Sequence, residues 1–366
     1  MTHATDATDA TDVSDATETT EAPRAAGAPG RGRTAVLTGL GTFVPPRVVT
    51  NEELSRTMDT SDEWIRTRTG ITQRHWADPG TATGDLAVAA GERALKSAGS
   101  GEVDLVVLAT TTPDHPCPAT APEVASRLGL RGVAAYDVAA VCSGFVYGLA
   151  SAAGAIAAGI AERVLVIGAE TYSTILNPQD RTTSVIFGDG AGAVVLRAGD
   201  PTEPGALLGY DLGSDGSLKD LIIVPDGGSR QRSAAAGAPE PDPADAYFTM
   251  QGKSVFRHAV TRMAASSQAM LDRAGWEADS VDWFVGHQAN VRILHAVADQ
   301  LGMARERTVV NLDRVGNTSA ASIPLALADA VAGGQVAPGD RVLMSAFGGG
   351  VTWGSTALVW PDVTAY

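Results

Sequence analysis

The chain has 366 residues, with 42 acids against 27 Lys and Arg and a formal charge of −15. That balance excludes a general nucleic-acid binder, which needs a basic face to displace counterions, and disfavours an anionic membrane surface as partner. Two cysteines are too few for a disulfide scaffold or a structural zinc site, while 44% hydrophobic residues supply a sizeable core.

Residues 1–33 form a zone of their own. An acid recurs every third position, from Asp6 through Asp9, Asp12, Asp15 and Glu18 to Glu21, with Ala and Thr between and a Pro/Gly/Arg stretch after. Nothing there buries enough surface to offset ordering entropy, which predicts a disordered acidic tail, either simply solvated or used to dock a partner. No apolar run follows a basic start, so it reads as neither a signal nor a transit peptide, and a cytoplasmic chain is expected.

From Thr34 the texture changes. AVLTGLGTF, VDLVVLATTTP, VAAYDVAAV, RVLVIGAE and AGAVVLRA are nearly all apolar, as strands covered on both faces are. Between them lie GDLAVAAGERALKSAG, TAPEVASRLGL and SGFVYGLASAAGAIAAG, helical in length and pattern. The alternation predicts an α/β fold. Val138 to Ala161 is uncharged and long enough to span a bilayer, but its small side chains, with Cys142, Ser143 and Ser151 among them, predict a strand end followed by a buried helix. The order then repeats. SVDWFVGHQAN echoes EVDLVVLATTTPD, RTVVNLDRVGNTSAASIPLALADAV echoes the strand and helix around Cys142, GDRVLMSAFGGG echoes ERVLVIGAE, and TWGSTALVW echoes GDGAGAVVL. Two halves, 34–208 and 209–366, are therefore expected to pack about a pseudo-twofold, with equivalent strand ends meeting at one site. Residues 225–247, rich in Gly, Pro and Ala, read as a surface loop.

Three polar residues fall at such ends. Cys142 stands where a strand gives way to a helix, whose N-terminal dipole lowers a thiol pKa; as a lone residue it is equally a small buried hydrophobe. His287 follows the strand VDWFVG, opposite the Thr111/Thr112 turn of the first half, at the strand end where α/β folds place ligands; a surface or capping His is the alternative. Asn317, in VGNTSAAS, falls within a residue or so of the position matching Cys142, and also suits an N-cap. FGDGAGA (187–193) lacks the Lys-Ser/Thr of a phosphate loop and reads as a tight turn into a strand. FGGGVTWGS offers bare backbone N–H groups for an oxyanion hole, or a plain turn.

With these residues assembled, the chain from Thr34 onward resembles the β-ketoacyl-[acyl carrier protein] synthase III family of the thiolase superfamily. TSDEWIRTRTGI, DVAAVCSGF, DRTTSVIFGDGAGA, MQGKSVF, HQANVRI, GNTSAASIPLAL and AFGGGVTWGS carry the resemblance, in the right order and spacing. It implies a five-layer α-β-α-β-α thiolase fold and a homodimer. It implies a Cys142–His287–Asn317 site, with an oxyanion hole from the N–H groups of Cys142 and Gly349. Trp64 and Arg181 would sandwich the adenine of coenzyme A, Arg68 and Thr69 would meet its nucleotide end, and Arg292 and Arg257 would contact carrier or coenzyme phosphates. Cys142 would take an acyl group from acyl-CoA and condense it with malonyl-acyl carrier protein by decarboxylation, starting fatty-acid or polyketide synthesis. The CoA thioester is a substrate, and no metal or other cofactor is implied.

Two departures matter. Cys117 stands where relatives often place a bulky residue that closes the partner's acyl pocket, so a primer larger than acetyl is expected; a buried structural thiol is the alternative. The helix after HQAN lacks the lysines relatives use to dock a carrier, which leaves that role to Arg257 and Arg292. Two other functions fit the fold: an acyltransferase that uses the acyl-Cys without decarboxylation, against which Asn317 speaks, and a catalytically dead partner subunit, against which the complete triad speaks.

Overall fold

The computed structural model describes residues 32–234, 240 and 242–366. The acidic tail therefore lies outside the described residues, except that Arg33 at its end pairs with Glu162 at 2.5 Å. Part of the 225–247 loop does too; its described residues are mostly exposed and include two short helical turns, Ser229–Arg232 and Pro243–Ala246.

Two sheets carry the architecture. The first is built from β1 (Thr34–Phe43), β2 (Leu105–Ala109), β3 (Ala134–Val138), β4 (Arg163–Glu170) and β5 (Gly190–Gly199), in the order β1-β5-β4-β2-β3. The second is built from β6 (Tyr210–Ser214), β7 (Trp283–Gly286), β8 (Arg341–Gly348) and β9 (Thr352–Val359), in the order β7-β8-β9-β6. The central strand of each is parallel to one neighbour and antiparallel to the other: β4 to β2 and β5, β8 to β7 and β9. A single parallel bridge from Phe284 to Thr308 stands where the second sheet would have its counterpart of β3.

The helices fill three layers. Helix α1 (Asp62–Thr69) lies near the site mouth, and α2 (Thr83–Ser97) with α3 (Ala121–Arg127) covers the outside of the first sheet. Helices α4 (Gly144–Ala157) and α7 (Ser322–Ala332) lie between the sheets, while α5 (Gly252–Ala274) and α6 (Val291–Leu301) cover the outside of the second. Small residues make the layers close. A side chain at Gly41 of β1 would overlap the main chain of α2 at Arg93 and Ala94. One buried cluster joins Leu37 and Phe145 of the first half to Val285, Ile323 and Trp360 of the second, so the halves share a core.

The repeat is regular. Leu105, Gly144 and Arg163 open β2, α4 and β4; Trp283, Ser322 and Arg341 open β7, α7 and β8, each 178 residues further on. This spacing corrects two sequence correspondences. Cys142 matches Ala320, which places Asn317 three residues earlier in its own turn, and His287 matches Ala109, just before the Thr111/Thr112 turn. The turn expected at 187–193 lies earlier, at 181–186; Phe187 bridges to Asn317 and Gly190 already opens β5, while Val138 to Ala161 holds a strand end and helix α4. Among the described residues no helix is long and apolar enough to cross a membrane.

Candidate active site

Cys142 sits in a single tight turn, Val141–Ser143, that feeds directly into α4. Val141 has φ 47°, a conformation costly for a β-branched residue. Ser319, its counterpart in the second half, has φ 48°. The same sharp elbow thus occurs in both halves, and in the first it aims the Cys142 side chain into the space between them. Cys142 is buried, and burial pushes its thiol up to about 12, with Glu170 adding to the rise and the Ser319 hydroxyl opposing it. This corrects the sequence expectation of a lowered pKa: loss of hydration outweighs the helix N-terminus.

His287 follows β7, and its main-chain N–H donates to Ser345 O at 2.8 Å. Its Nδ1 lies 2.7 Å from the hydroxyl of Ser322, the first residue of α7. That hydroxyl also receives the Gln288 N–H at 3.4 Å, and we assign its own proton to the contact with Nδ1. The proton of a neutral ring then resides on Nε2, which faces the cavity as a donor. Burial holds His287 neutral, its pKa lowered to about 3. Asn317 is fixed in a similar way. Its main chain bridges to Ile186 and Gly188, and its Oδ1 accepts from the Ser319 N–H at 2.9 Å. The amide nitrogen is thereby left as a second donor.

Cys142, His287 and Asn317 line one pocket, with Phe187, Phe248, Met263 and Phe347 among its apolar walls. The glycine turn after β8 closes it. A Cβ at Gly348 would lie 2.8 Å from the Cys142 nitrogen, and one at Gly349 would lie 3.1 Å from the Ile222 side chain. The proposed oxyanion donor Gly349 is therefore held by a neighbour packed directly on the nucleophile's backbone.

The remaining sequence-predicted residues lie toward the mouth. Trp64 of α1 is flanked by Arg68 at 4.6 Å and Arg181 at 5.2 Å from its ring centre. Arg181 also pairs with Asp59 at 2.8 Å. A planar base between Trp64 and Arg181 needs about 7 Å, twice a van der Waals contact, so the half-exposed guanidinium must swing aside to admit one. Thr69 corrects the expectation. It is buried, and its hydroxyl donates to Ile65 O at 2.7 Å and accepts from the Ile71 N–H at 3.0 Å. It finishes α1 and presents no hydroxyl to a ligand. Arg257 and Arg292 are exposed on α5 and α6, on either side of Phe256, and Val255 and Ile293 of the same helices line the pocket. Asn290 caps α6 and donates to Arg68 O at 2.9 Å, tying the His287 loop to the mouth. Cys117 is exposed on this chain.

Sequence reasoning missed three residues here: Ser322, which orients His287, and the pair Ser319 and Glu170 next to the nucleophile's turn. Glu170 ends the apolar run RVLVIGAE, and it matches Gly348 in the 178-residue repeat. A lone acid ending a fully apolar strand was the available signal.

Two family models match the chain, 3-oxoacyl-[acyl-carrier-protein (ACP)] synthase III over residues 136–216 and its C-terminal counterpart over residues 271–360. The chain is 73% identical over 330 residues to β-ketoacyl-[acyl-carrier-protein] synthase III 5 of Streptomyces coelicolor, covering 90% of this chain and 98% of that protein. It is 52% identical over 331 residues to β-ketoacyl-[acyl-carrier-protein] synthase III of Pseudomonas aeruginosa, covering 90% and 98%. Among solved structures, 3-oxoacyl-(acyl carrier protein) synthase III of P. aeruginosa PAO1 superposes with a TM-score of 0.84 at 51% identity, covering 90% of this chain and 99% of that one. The priming β-ketosynthase of the R1128 polyketide biosynthetic pathway gives a TM-score of 0.82 at 35% identity, covering 90% and 97%. The chain, with its thiolase fold, belongs to the 3-oxoacyl-[acyl-carrier-protein] synthase III family.

Proposed function

We propose that this enzyme, a β-ketoacyl-acyl carrier protein synthase III and so an acyltransferase, carries out its two half-reactions at Cys142, His287 and Asn317. The observation that carries the assignment is one buried apolar pocket in which a thiol shares the walls with two N–H donors of fixed orientation. The Cys142 sulfur attacks the thioester carbon of acyl-CoA, and the developing oxyanion is held by the N–H groups of Cys142 and Gly349. Malonyl-acyl carrier protein then enters. Nε2–H of His287 and the Asn317 amide donate to its thioester carbonyl, so that loss of CO2 leaves a stabilised enolate. The enolate carbon attacks the acyl-Cys carbonyl and expels the Cys142 thiolate. The neutrality of His287 favours this reading, because its role is to donate while staying uncharged. The reaction as derived draws on no cofactor.

Trp64, Arg68 and Arg181 form the proposed coenzyme A mouth, with Arg257 and Arg292 facing the acidic carrier. Thr69 drops out of that set on the strength of its burial. The exposed edge strand β3, with Tyr136 38% exposed, supports a homodimer, and we place it in the cytoplasm. The description as halves 34–208 and 209–366 rests on the repeat. Exposure of Cys117 favours its reaching a partner subunit's acyl pocket. Cys117→Phe should then shift primer preference toward shorter chains in competition assays; an unchanged preference would refute that role. To separate condensation from plain acyl transfer, the acylated enzyme is given carboxyl-labelled malonyl-carrier. Labelled CO2 released one for one with 3-ketoacyl-carrier is the expected result. Transfer of the acyl group with the label retained would contradict it.

A further inference from the structure

Around Glu170 lies a second cluster of polar groups, reaching the Cys142 turn through Ser319, that the mechanism above leaves unused. Glu170 is completely buried at the end of β4. Its Oε2 receives the N–H of Thr111 at 3.0 Å, the N–H of Thr112 at 3.2 Å, and the hydroxyls of Thr112 at 2.8 Å and Thr110 at 3.3 Å. Its Oε1 receives a single donor, the Ser319 hydroxyl at 3.1 Å. Ser319 is held in the left-handed elbow described above, in a turn packed against the Cys142 turn, and its hydroxyl opposes the rise of the thiol. Tyr172 is also buried, and its hydroxyl has no hydrogen-bond partner among the described residues. The groups shifting Glu170 include no Lys, Arg or His; the titratable groups it acts on are Cys142 and Tyr172.

This arrangement meets a need of the chemistry. The thiol of Cys142 must lose a proton to form a thioester. His287 stays neutral but is committed through Nδ1 to Ser322 and through Nε2 to donation. A carboxylate bonded to the Ser319 hydroxyl, on the turn packed against the Cys142 turn, is the remaining base. Burial raises Glu170 to about 7, so it accepts and releases a proton near neutrality.

We propose that Glu170, acting through Ser319, takes the Cys142 proton during acylation and returns it after condensation. In the first half-reaction the S–H bond breaks, that proton moves to Ser319 Oγ, and the hydroxyl's own proton passes to Glu170 Oε1. The sulfur–acyl bond forms, and coenzyme A leaves as a thiolate that solvent protonates. In the second half-reaction CO2 leaves malonyl and the carbon–carbon bond forms. The expelled Cys142 thiolate then recovers a proton from Glu170 along the same path. One proton is taken from solvent per turnover, as conversion of a malonyl carboxylate to CO2 with release of a neutral thiol requires. Glu170 is thus a positioning and proton-holding residue that never touches substrate.

This inference rests on Cys142 being the nucleophile, and its test separates the two claims. The rate of Cys142 acylation from acyl-CoA is followed by intact mass across pH 5.5 to 9 for the wild type, Glu170→Gln, Ser319→Ala and Glu170→Asp. The wild-type rate should rise through an inflection near neutral pH. Glu170→Gln should lose that inflection and slow by at least tenfold at pH 7.5, Ser319→Ala should do the same with the carboxylate in place, and Glu170→Asp should retain an inflection. Thermal melting shows whether each variant is folded; should Glu170→Gln fail, Ser319→Ala carries the test. Folded variants that acylate within twofold of wild type, with the same inflection, overturn the proposal while leaving Cys142 the nucleophile. Absence of any adduct on the wild type instead overturns the reading it rests on.

Discussion

At the scale of single residues, the site depends on which atoms are already engaged. Ser322 is the clearest case. Its hydroxyl points the proton of a neutral His287 at the cavity, so Ser322→Ala should free the ring to take either tautomer. A lost neutral hydrogen bond of ~1 kcal/mol corresponds to about a fivefold rate loss. That loss should fall on condensation, with acylation of Cys142 unchanged in a single-turnover assay; an equal loss in both steps would assign Ser322 to structure alone. Asn317→Ala removes a donor aimed at the forming enolate, and by analogy with loss of one oxyanion donor should slow condensation roughly 10²- to 10³-fold. Retained acyl-enzyme formation distinguishes that from unfolding.

At the scale of elements, close approach of backbones sets the geometry. Gly41 lets α2 settle on β1, so Gly41→Ala should force the layer apart; overpacking costs about 1–3 kcal/mol. A lower urea midpoint with an unchanged slope would show it. Gly348→Ala places a methyl 2.8 Å from the Cys142 nitrogen, among main-chain atoms, and should lower the melting temperature and also slow acylation of the folded protein, read by intact mass.

This scale also shows what was legible in the sequence. The strands were readable because their apolar runs are continuous, and Cys142, His287 and Asn317 were readable because polar residues interrupt those runs at strand ends. The exact pairing of the halves was not, because the repeated segments share few residues and the constant 178-residue offset shows only in the ladders of β2 on β4 and β7 on β8. The rise in the Cys142 pKa was hidden for a related reason. A helix N-terminus is local and visible in the chain, whereas burial comes from Phe187, Ser319 and other distant segments. Thr69 was placed at the coenzyme by resemblance, which carries no information on burial, and Glu170 drew no reading because its donors come from segments distant in the chain.

At the scale of the whole molecule, two of the shifted buried groups act in opposite directions at mildly acid pH, with Asp189, also raised by burial, adding to the Glu170 side. His287 falls from 6.5 to about 3 on folding, so the unfolded chain binds the extra proton and stability declines as pH falls from 6.5 toward 3. Glu170 rises from 4.5 to about 7, so the folded chain binds the extra proton and stability declines as pH rises from 4.5 toward 7. The two slopes, each about 1.4 kcal/mol per pH unit at most, oppose one another between 4.5 and 6.5. Glu170→Gln should unmask the His287 slope there, seen as a urea midpoint that falls between pH 6.5 and 5 more steeply than in wild type. Equal slopes in the two proteins would mean that these groups do not dominate.

The two halves converge on one thiol, and that is the claim most open to direct test. Intact-protein mass is measured after incubation with a panel of acyl-CoAs, alongside Cys142→Ala, and again after malonyl-acyl carrier protein is added. The expected result is a mass gain of one acyl group on the wild type, none on the variant, and loss of the adduct with appearance of 3-ketoacyl-carrier. An adduct that forms equally on Cys142→Ala, or one that malonyl-carrier leaves untouched, would contradict the account.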